Sequence, residues 1–328
     1  MPVIERSALA PLISCPVGWC AEETLGRPCP GAPATTTTTA NGNVAQVAHS
    51  FNKILAQPAK KSSRDAGGSV KKLRRLTLIE GISSVADGTL WHRVWKIFIR
   101  ITDLPVEMLL DYVARGPCEV RERIRNDSFR SVARYCVCTT TLTTDRRFTN
   151  RVKEDMLIRL RDGFYYPPCF TYVQGMNVLA APFLYTMPSA LEAFLCFAKP
   201  IKEVCPTYVR PTLEGVHHGL KLLDHCLKIV DPDLYVYLRS KNSFPSALTL
   251  CACTPPLDEV LRLWNFFLAF GVHLNVLCVI AQLLLLRDDV MKSSCPHALP
   301  PHLPPLEAAH VVSITIARLV RHPDKFQA

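Results

Sequence analysis

The sequence lacks the short motifs that identify many hydrolases and nucleotide-binding enzymes. Its 328 residues contain no Gly-x-Ser-x-Gly, no His-Glu-x-x-His, no Gly-x-Gly-x-x-Gly and no glycine-rich loop that ends in Gly-Lys-Ser or Gly-Lys-Thr. Each of these patterns positions a nucleophile, a metal ion or a phosphate group at a defined turn. We therefore expect that the chain does not bind a nucleotide by itself, and we predict no cofactor.

Zinc-ligand spacing and an apolar N-terminal run are also missing. The fourteen cysteines are scattered, and the pairs Cys136-x-Cys138 and Cys251-x-Cys253 are too closely spaced for a zinc site and lack a second matching pair. Free thiols are therefore favoured, and no metal site is predicted. The first residues are partly polar and acidic where a signal peptide needs an apolar run. These features favour a reducing, cytoplasmic or nuclear, location.

An uninterrupted membrane-spanning run is absent as well. The stretch from Leu263 to Leu286 has no charged residue and is about as long as the roughly 20 residues that cross a bilayer. Polar residues and a glycine interrupt it, namely Asn265, Gly271, His273, Asn275 and Gln282. The pattern favours two buried helices broken near Gly271 over a transmembrane segment.

Strand patterns and internal repeats are missing, whereas helical spacing of apolar residues runs from Leu73 onward. Asp87 or Thr89 is a candidate cap for a helix that presents one apolar side, made of Trp91, Val94, Trp95 and Phe98. The clearest helix lies between Pro211 and Asp231, with apolar residues at Leu213, Val216, Leu220, Leu223, Leu227 and Val230. We predict an all-α domain over residues 73–320 and a tail at 321–328.

Residues 1–72 differ in composition from this domain. Proline, alanine, glycine and threonine accumulate there, Thr35 to Thr39 form a single-residue run, and hydrophobic periodicity is weak, which predicts a disordered arm. The end of the arm is basic, with Lys60, Lys61, Arg64, Lys71, Lys72, Arg74 and Arg75. A solvated linker is the favoured interpretation, and a localisation signal or a patch for an acidic surface is the alternative. The formal net charge of +10 agrees with an acidic partner without identifying its class.

Three segments of the domain carry side chains that suggest chemistry. Asp127 and Arg130, downstream of Ile124, would share one face of a helix, and alone this suggests a surface ion pair. Gly175 beside Gln174, in the run Tyr172 to Asn177, suggests a tight backbone site that exposes the amide, although an ordinary loop is the simpler interpretation. Trp264 lies in an apolar helical stripe, where core packing is expected.

Together and in this order, the three segments resemble the motifs of the TBC domain, the helical module of GTPase-activating proteins for Rab-type small GTPases. The family pattern is Ile-x-x-Asp-x-x-Arg, then Tyr-x-Gln, then Leu-Trp-Asp, and this sequence has Asn265 at the last position. The longer runs over residues 172–185 and 244–257 resemble the fungal mitotic-checkpoint branch. Members of that branch are the catalytic subunits of a two-component activator for a small GTPase of the mitotic exit or septation network.

The resemblance implies a two-lobed helical domain and a mechanism in which this chain completes the active site of a Ras/Rab-like GTPase. Arg130 would be an arginine finger that Asp127 orients, and Gln174 would orient the attacking water on a loop that Tyr172 holds. GTP and Mg²⁺ would belong to the GTPase, so the chain would be an activator rather than an enzyme. The resemblance also implies a scaffolding co-subunit and a cytoplasmic location with recruitment to the spindle pole body.

Two alternatives to an activator follow from particular features. Segments 135–144, 165–168 and 241–244, together with Asn265, depart from the family pattern, which leaves a non-catalytic adaptor that binds a GTPase or a checkpoint scaffold. The basic arm leaves nucleic-acid binding, but it lacks interleaved aromatic residues and any known base-reading module. We therefore expect no nucleic-acid partner.

Overall fold

The computed structural model describes residues 37–56, 63–82, 90–107, 172–173, 175–210, 212–241, 250–252, 256–292 and 305–320, with the single residues Leu110, Ala114 and Glu122. Every regular element over these ranges is a helix, which confirms the all-α prediction. The α-helices are α1 Thr37–Leu55, α2 Ser63–Glu80, α3 Leu90–Ile99, α4 Met176–Thr186, α5 Ala190–Glu203, α6 Glu214–Val230, α7 Pro232–Ser240, α8 Leu257–Phe270, α9 Asn275–Leu285, α10 Arg287–Lys292 and α11 Ala308–Ile314. Short 3-10 turns occur at Pro206–Val209 and Val272–Leu274, and α11 continues into a π-helical turn at Thr315–Val320.

Helices α8 and α9 lie at the centre of the described core. Helix α8 packs against α2, α3 and α11, and α9 packs against α6 and α11. An ion pair at the edge of the core joins α3 to α5, with Lys96 Nζ 3.0 Å from Glu192 Oε2. Among the described residues, we find no helix with the length and apolar character needed to cross a bilayer.

Three predictions of helices are confirmed. Helix α3 buries the predicted side, Trp91, Val94, Trp95 and Phe98. Helix α6 turns Val216, Leu223 and Leu227 inward and ends at Val230. The side chain of the next residue, Asp231, accepts a hydrogen bond from the backbone N–H of Leu234 and so caps α7. Helices α8 and α9 are the two buried helices predicted from the long apolar stretch.

The break between α8 and α9 falls at Gly271, as predicted. Its φ of 130° lies in a region that residues with a Cβ rarely adopt. Its backbone N–H still donates to the carbonyl of Phe267 at 2.8 Å, which completes the last turn of α8. The chain can therefore leave α8 and start α9 after a single 3-10 turn.

Over residues 37–55 and 63–72 the structure has helices where the composition predicted a disordered arm. Helix α1 and the first half of α2 lie within residues 1–72, and α1 packs against α2 and α3. Phe51 is fully buried, and Arg93 Nη1 donates to Asn52 Oδ1 at 2.7 Å. The predicted boundary at residue 73 falls inside α2, where Leu73 is buried.

The physical reason is that long-range packing stabilises helices whose local signals are weak. Val47, Phe51 and Ile54 recur at helical spacing, but threonine and small polar residues around them obscure the stripe. Residues 1–36 and the tail 321–328 lie outside the described residues.

Candidate functional site: the turn before α4

The candidate site is built on the turn that leads into α4. Tyr172, Val173 and Gly175 are described, whereas Gln174 between them, and the first motif with Ile124, Asp127 and Arg130, lie outside the described residues. The atypical segments 135–144 and 165–168, and residues 242–244 of the third, also lie outside them. The predicted contacts of the two fingers therefore remain predictions.

Gly175 gives the turn its shape. It precedes the first residue of α4 with φ 101° and ψ −16°, a left-handed conformation that glycine adopts without steric cost. Its carbonyl accepts the backbone N–H groups of Val178 and Leu179 at 3.1 Å. The N–H of Met176 donates back to the carbonyl of Val173, also at 3.1 Å, so a tight turn joins Val173 to the start of α4.

Tyr172 anchors the other side of this turn. Its side chain is only 4% exposed and belongs to the main core cluster. Val173 is partly buried, and its N–H lies 3.3 Å from Met176 Sδ, a weak acceptor. The described part of this segment thus combines a buried tyrosine at 172 with a left-handed glycine at 175.

Helix α4 continues from the turn into the core. It buries Val178, Leu179, Ala180, Ala181, Phe183 and Leu184. Phe183 lies in an aromatic cluster with Trp95 of α3 and Trp264 of α8, which we call the aromatic cluster hereafter. The ring centroids of Phe183 and Trp264 are 5.3 Å apart at 74°, and those of Trp95 and Trp264 are 6.2 Å apart at 25°. These are the edge-to-face and stacked geometries that aromatic pairs prefer.

Trp264 therefore contributes through packing, as expected for a tryptophan in an apolar stripe. It is 3% exposed, and its indole Nε1 donates to the carbonyl of Leu250 at 3.0 Å. Its contacts join α8 to α4, and so connect the third motif to the helix that carries the Gln174 turn. Phe183 lies eight positions after Gly175, which corresponds to about 12 Å along a helix.

Asn265 has a function in the core that sequence reasoning missed. It is 2% exposed, and its Oδ1 accepts a hydrogen bond of 2.7 Å from Trp95 Nε1. Its Nδ2 is buried without a hydrogen-bond partner. The sequence identified Asn265 only as a lost carboxylate, whereas its oxygen satisfies a neutral indole N–H. The signal was Trp95 itself, since a buried indole needs an acceptor.

The described cysteines are free thiols, as predicted for Cys251, and burial suppresses their reactivity. Burial raises the pKa of Cys251, Cys278 and Cys196 to about 12 in each case. Only the thiolate is a good nucleophile or metal ligand, so these side chains are inert near neutral pH. Cys136, Cys138 and Cys253 lie outside the described residues.

Comparison with known proteins identifies the domain. The Rab-GTPase-TBC domain matches residues 93–291. Cell division control protein 16 of Schizosaccharomyces pombe is 37% identical over 281 residues, which cover 83% of this chain and 91% of that protein. Mitotic check point protein BUB2 of Saccharomyces cerevisiae is 34% identical over 280 residues, which cover 78% of this chain and 88% of that protein.

Solved structures agree on the fold. The Ypt/Rab-GAP domain of Gyp1p superposes with a TM-score of 0.59 at 16% identity, covering 83% of this chain and 97% of that one. The Chlamydomonas flagellar RabGAP TBC domain superposes with a TM-score of 0.60 at 14% identity, covering 86% of this chain and 92% of that one. Because the domain match spans more than half of the chain and the similar relatives are covered over most of their length, the chain belongs to the Rab-GTPase-TBC family.

Proposed function

We propose that this chain is a GTPase-activating subunit that accelerates GTP hydrolysis by a Ras/Rab-like GTPase of the mitotic exit or septation network. The observation that carries the proposal is the turn at residues 172–175. In the sequence Gln174 lies between a buried tyrosine, Tyr172, and a left-handed glycine, Gly175, just before a deeply buried helix. The names of the relatives, a cell division control protein and a mitotic check point protein, support the choice of network.

The chemistry requires an arginine and a group that positions water. Negative charge spreads over the γ-phosphoryl group in the transition state, and an arginine supplied in trans accelerates hydrolysis by roughly 10³ to 10⁵. In our proposal Arg130 donates its planar fork to that charge, and Asp127 orients Arg130. A lysine lacks the fork and would not replace it.

Gln174 supplies the second group. Its amide orients the water that attacks the γ-phosphate, while GTP and Mg²⁺ stay in the GTPase. A water-orienting amide must arrive in a fixed geometry, because misplacement of about 1 Å can lower a rate by about 10²-fold. The hydrogen bond between Met176 and Val173 and the aromatic cluster behind α4 support such a function for this position.

A scaffolding co-subunit and recruitment to the spindle pole body are the remaining parts of the proposal. Both follow from the resemblance to the checkpoint branch and from the 37% and 34% identities to its named members. A two-component activator of this kind would deliver the finger pair to the GTPase where the co-subunit is localised.

The test is single-turnover hydrolysis by the purified GTPase of that network, loaded with GTP and mixed with this chain, with and without the co-subunit. We expect hydrolysis to be accelerated by at least about tenfold over the GTPase alone. Complex formation is measured in parallel with a non-hydrolysable GTP analogue. Binding without any acceleration, in either condition, would instead identify the chain as a non-catalytic adaptor.

A further inference from the structure

Helix α2 lies outside the matched domain, yet it is firmly attached to it. The domain match begins at residue 93, after α2 ends at Glu80. Leu73 and Thr77 of α2 are 1% and 5% exposed, and the helix packs against α8, α1 and α3. Its inner side is therefore occupied, and its outer side keeps a fixed orientation relative to the core.

The outer side of α2 combines positive charge with exposed apolar surface. Lys71, Lys72 and Arg75 are exposed, and Leu78 and Ile79 follow at 38% and 63% exposure. Residues 75, 78 and 79 follow residue 71 by about one or two helical turns. These four residues therefore share the face opposite to Leu73 and Thr77. We call these five residues the α2 outer face.

The charges of the α2 outer face are uncompensated among the described residues. None of its three cations forms an ion pair there, and no acidic residue occurs between Ala66 and Ile79. Glu80 is exposed but lies five residues after Arg75, which is about 140° around the helix. Like charges at this spacing repel each other, so a partner that supplies carboxylates would remove a standing repulsion.

We propose that the α2 outer face is a docking surface for an acidic, amphipathic segment of another protein. Carboxylates of that segment pair with Lys71, Lys72 and Arg75, and its apolar side chains cover Leu78 and Ile79. The face is about 13 Å long, which matches two to three turns of a partner helix. Apolar contacts supply affinity at such a surface, and the neighbouring charge pairs supply orientation and association rate.

A membrane or a nucleic acid fits the same face less well. A helix that lies on a membrane buries an apolar side along its whole length, with basic residues opposite. Leu73 and Leu76 of α2 are already packed on the domain, and among its described residues the two exposed large apolar side chains are Leu78 and Ile79 at its end. Single-stranded nucleic acid binds basic grooves that also present aromatic residues for base stacking, and the α2 outer face has none.

The probe for the proposal is a displayed library of random 16-residue peptides, selected on the full chain. Selection is repeated on a charge-reversal variant, Lys71→Glu with Lys72→Glu and Arg75→Glu. We expect the full chain alone to enrich peptides that carry several carboxylates and at least two large apolar residues. Enrichment of the same peptides by both proteins, or of peptides without net negative charge, would overturn the proposal.

Affinities of one enriched peptide, labelled with fluorescein, then separate the contributions of charge and apolar surface. We expect the charge-reversal variant to weaken binding by at least about 30-fold and Leu78→Ser with Ile79→Ser by at least about tenfold. The control is Lys221→Glu with Lys228→Glu on α6, where both lysines are also exposed, and we expect a change of less than about twofold.

Circular dichroism of each variant excludes unfolding, since all five residues are exposed. If Lys71→Ala with Lys72→Ala binds the peptide as tightly as the full chain, the charge pairing is wrong. Co-sedimentation with vesicles of phosphatidylcholine and phosphatidylserine tests whether the α2 outer face binds a membrane instead. Vesicle binding that the charge-reversal variant loses, together with a peptide selection that enriches nothing, would assign the face to a membrane and overturn the proposal.

Discussion

At the scale of single residues, Arg130 is the most direct test of the proposed mechanism. We predict that Arg130→Ala and Arg130→Lys both lower the stimulated hydrolysis rate by at least about tenfold, because neither side chain can supply the bidentate fork in the transition state. Complex formation with the GTPase should change little, since a finger acts chiefly when charge develops. The measurements are single-turnover hydrolysis and a binding isotherm.

The control for Arg130 is protein stability. If Arg130→Ala lowers the melting temperature and the activity together, its main function is a structural ion pair with Asp127. An unchanged melting temperature with strongly reduced hydrolysis is the result that the finger predicts.

Asn265 supports a prediction about stability alone. Its Oδ1 accepts the 2.7 Å hydrogen bond from Trp95 Nε1, and both groups are buried. Asn265→Leu would leave that indole N–H without an acceptor, which costs about 1 to 3 kcal/mol of unfolding free energy, partly offset because the unpaired Nδ2 is removed as well. Denaturant unfolding measures the loss. Asn265→Asp keeps an acceptor oxygen, and we expect it to preserve this hydrogen bond better than leucine does.

A stability of Asn265→Leu equal to the original protein would show that Trp95 finds another acceptor. The stacking of Trp95 on Trp264 would then be sufficient to hold α3 on α8. Because Asn265 is hydrogen-bonded to Trp95, which contacts Phe183 of α4, its substitution tests the packing of the core behind α4.

At the scale of elements, the turn before α4 separates geometry from chemistry. Gln174→Ala removes the amide and keeps the backbone, whereas Gly175→Ala keeps the amide and adds a Cβ at φ 101°. We predict that Gly175→Ala destabilises the protein by about 1 to 2 kcal/mol, the cost of a left-handed conformation for an L-residue, and also lowers stimulated hydrolysis. Gln174→Ala should lower hydrolysis more than complex formation and leave stability nearly unchanged.

The two substitutions are assayed against the GTPase and against a GTPase variant that lacks its own glutamine. Loss of activity for Gln174→Ala in either background supports the glutamine finger. Full activity of Gln174→Ala in both backgrounds would leave only the arginine half of the mechanism.

A second element-scale prediction concerns the 3-10 turn Pro206–Val209, which packs closely on α6. A Cβ on Gly215 would lie 2.4 Å from Thr207 Oγ1 and 3.0 Å from the Thr207 backbone carbon, and one on Gly219 would lie 2.8 Å from the Tyr208 hydroxyl. We predict that Gly215→Ala destabilises the protein by about 1 to 3 kcal/mol, because it overpacks a tight backbone contact. Gly219→Ala should cost less, since the end of a tyrosine side chain can move. Thermal unfolding of both variants checks the order, and a larger loss for Gly219→Ala would contradict it.

At the scale of the whole molecule, the helices and helix ends that short sequence patterns determine could be predicted from the sequence. Helix α3 has a continuous apolar side, the sequence of α6 lies between Pro211 and Asp231, and the break at Gly271 needs a residue without a Cβ, so each could be predicted. The family resemblance likewise depended on spaced motifs. Each of these signals lies within a few turns of chain.

What could not be predicted depends on partners far away in sequence. The hydrogen bond between Trp95 and Asn265 joins residues 170 positions apart, and nothing local marks Asn265 as an acceptor. Helix α1 is stabilised by packing on α2 and α3. Its own composition carries no sign of that packing, and for this reason it suggested disorder. The same limit applies to the α2 outer face, whose orientation depends on which side of α2 contacts α8.

The last prediction tests whether α1 is part of the folded domain, as the structure has it, or part of a disordered arm, as the composition suggested. Phe51 is fully buried among α1 and its neighbours. We predict that Phe51→Ala lowers the unfolding free energy by about 3 to 5 kcal/mol, because it removes a buried aromatic side chain and leaves a cavity. For a domain of this size, that loss corresponds to a melting temperature lower by roughly 6 to 20 °C. Lys53→Ala is the matched control, since Lys53 is exposed on the same helix and should change the melting temperature by less than about 2 °C. Amide hydrogen exchange gives a second measurement, in which residues 47–55 should be protected in the original protein and lose protection in Phe51→Ala. Equal melting temperatures for Phe51→Ala and Lys53→Ala, with rapid exchange of residues 47–55 in both, would mean that the domain folds without α1 and that the arm extends at least to the start of α2.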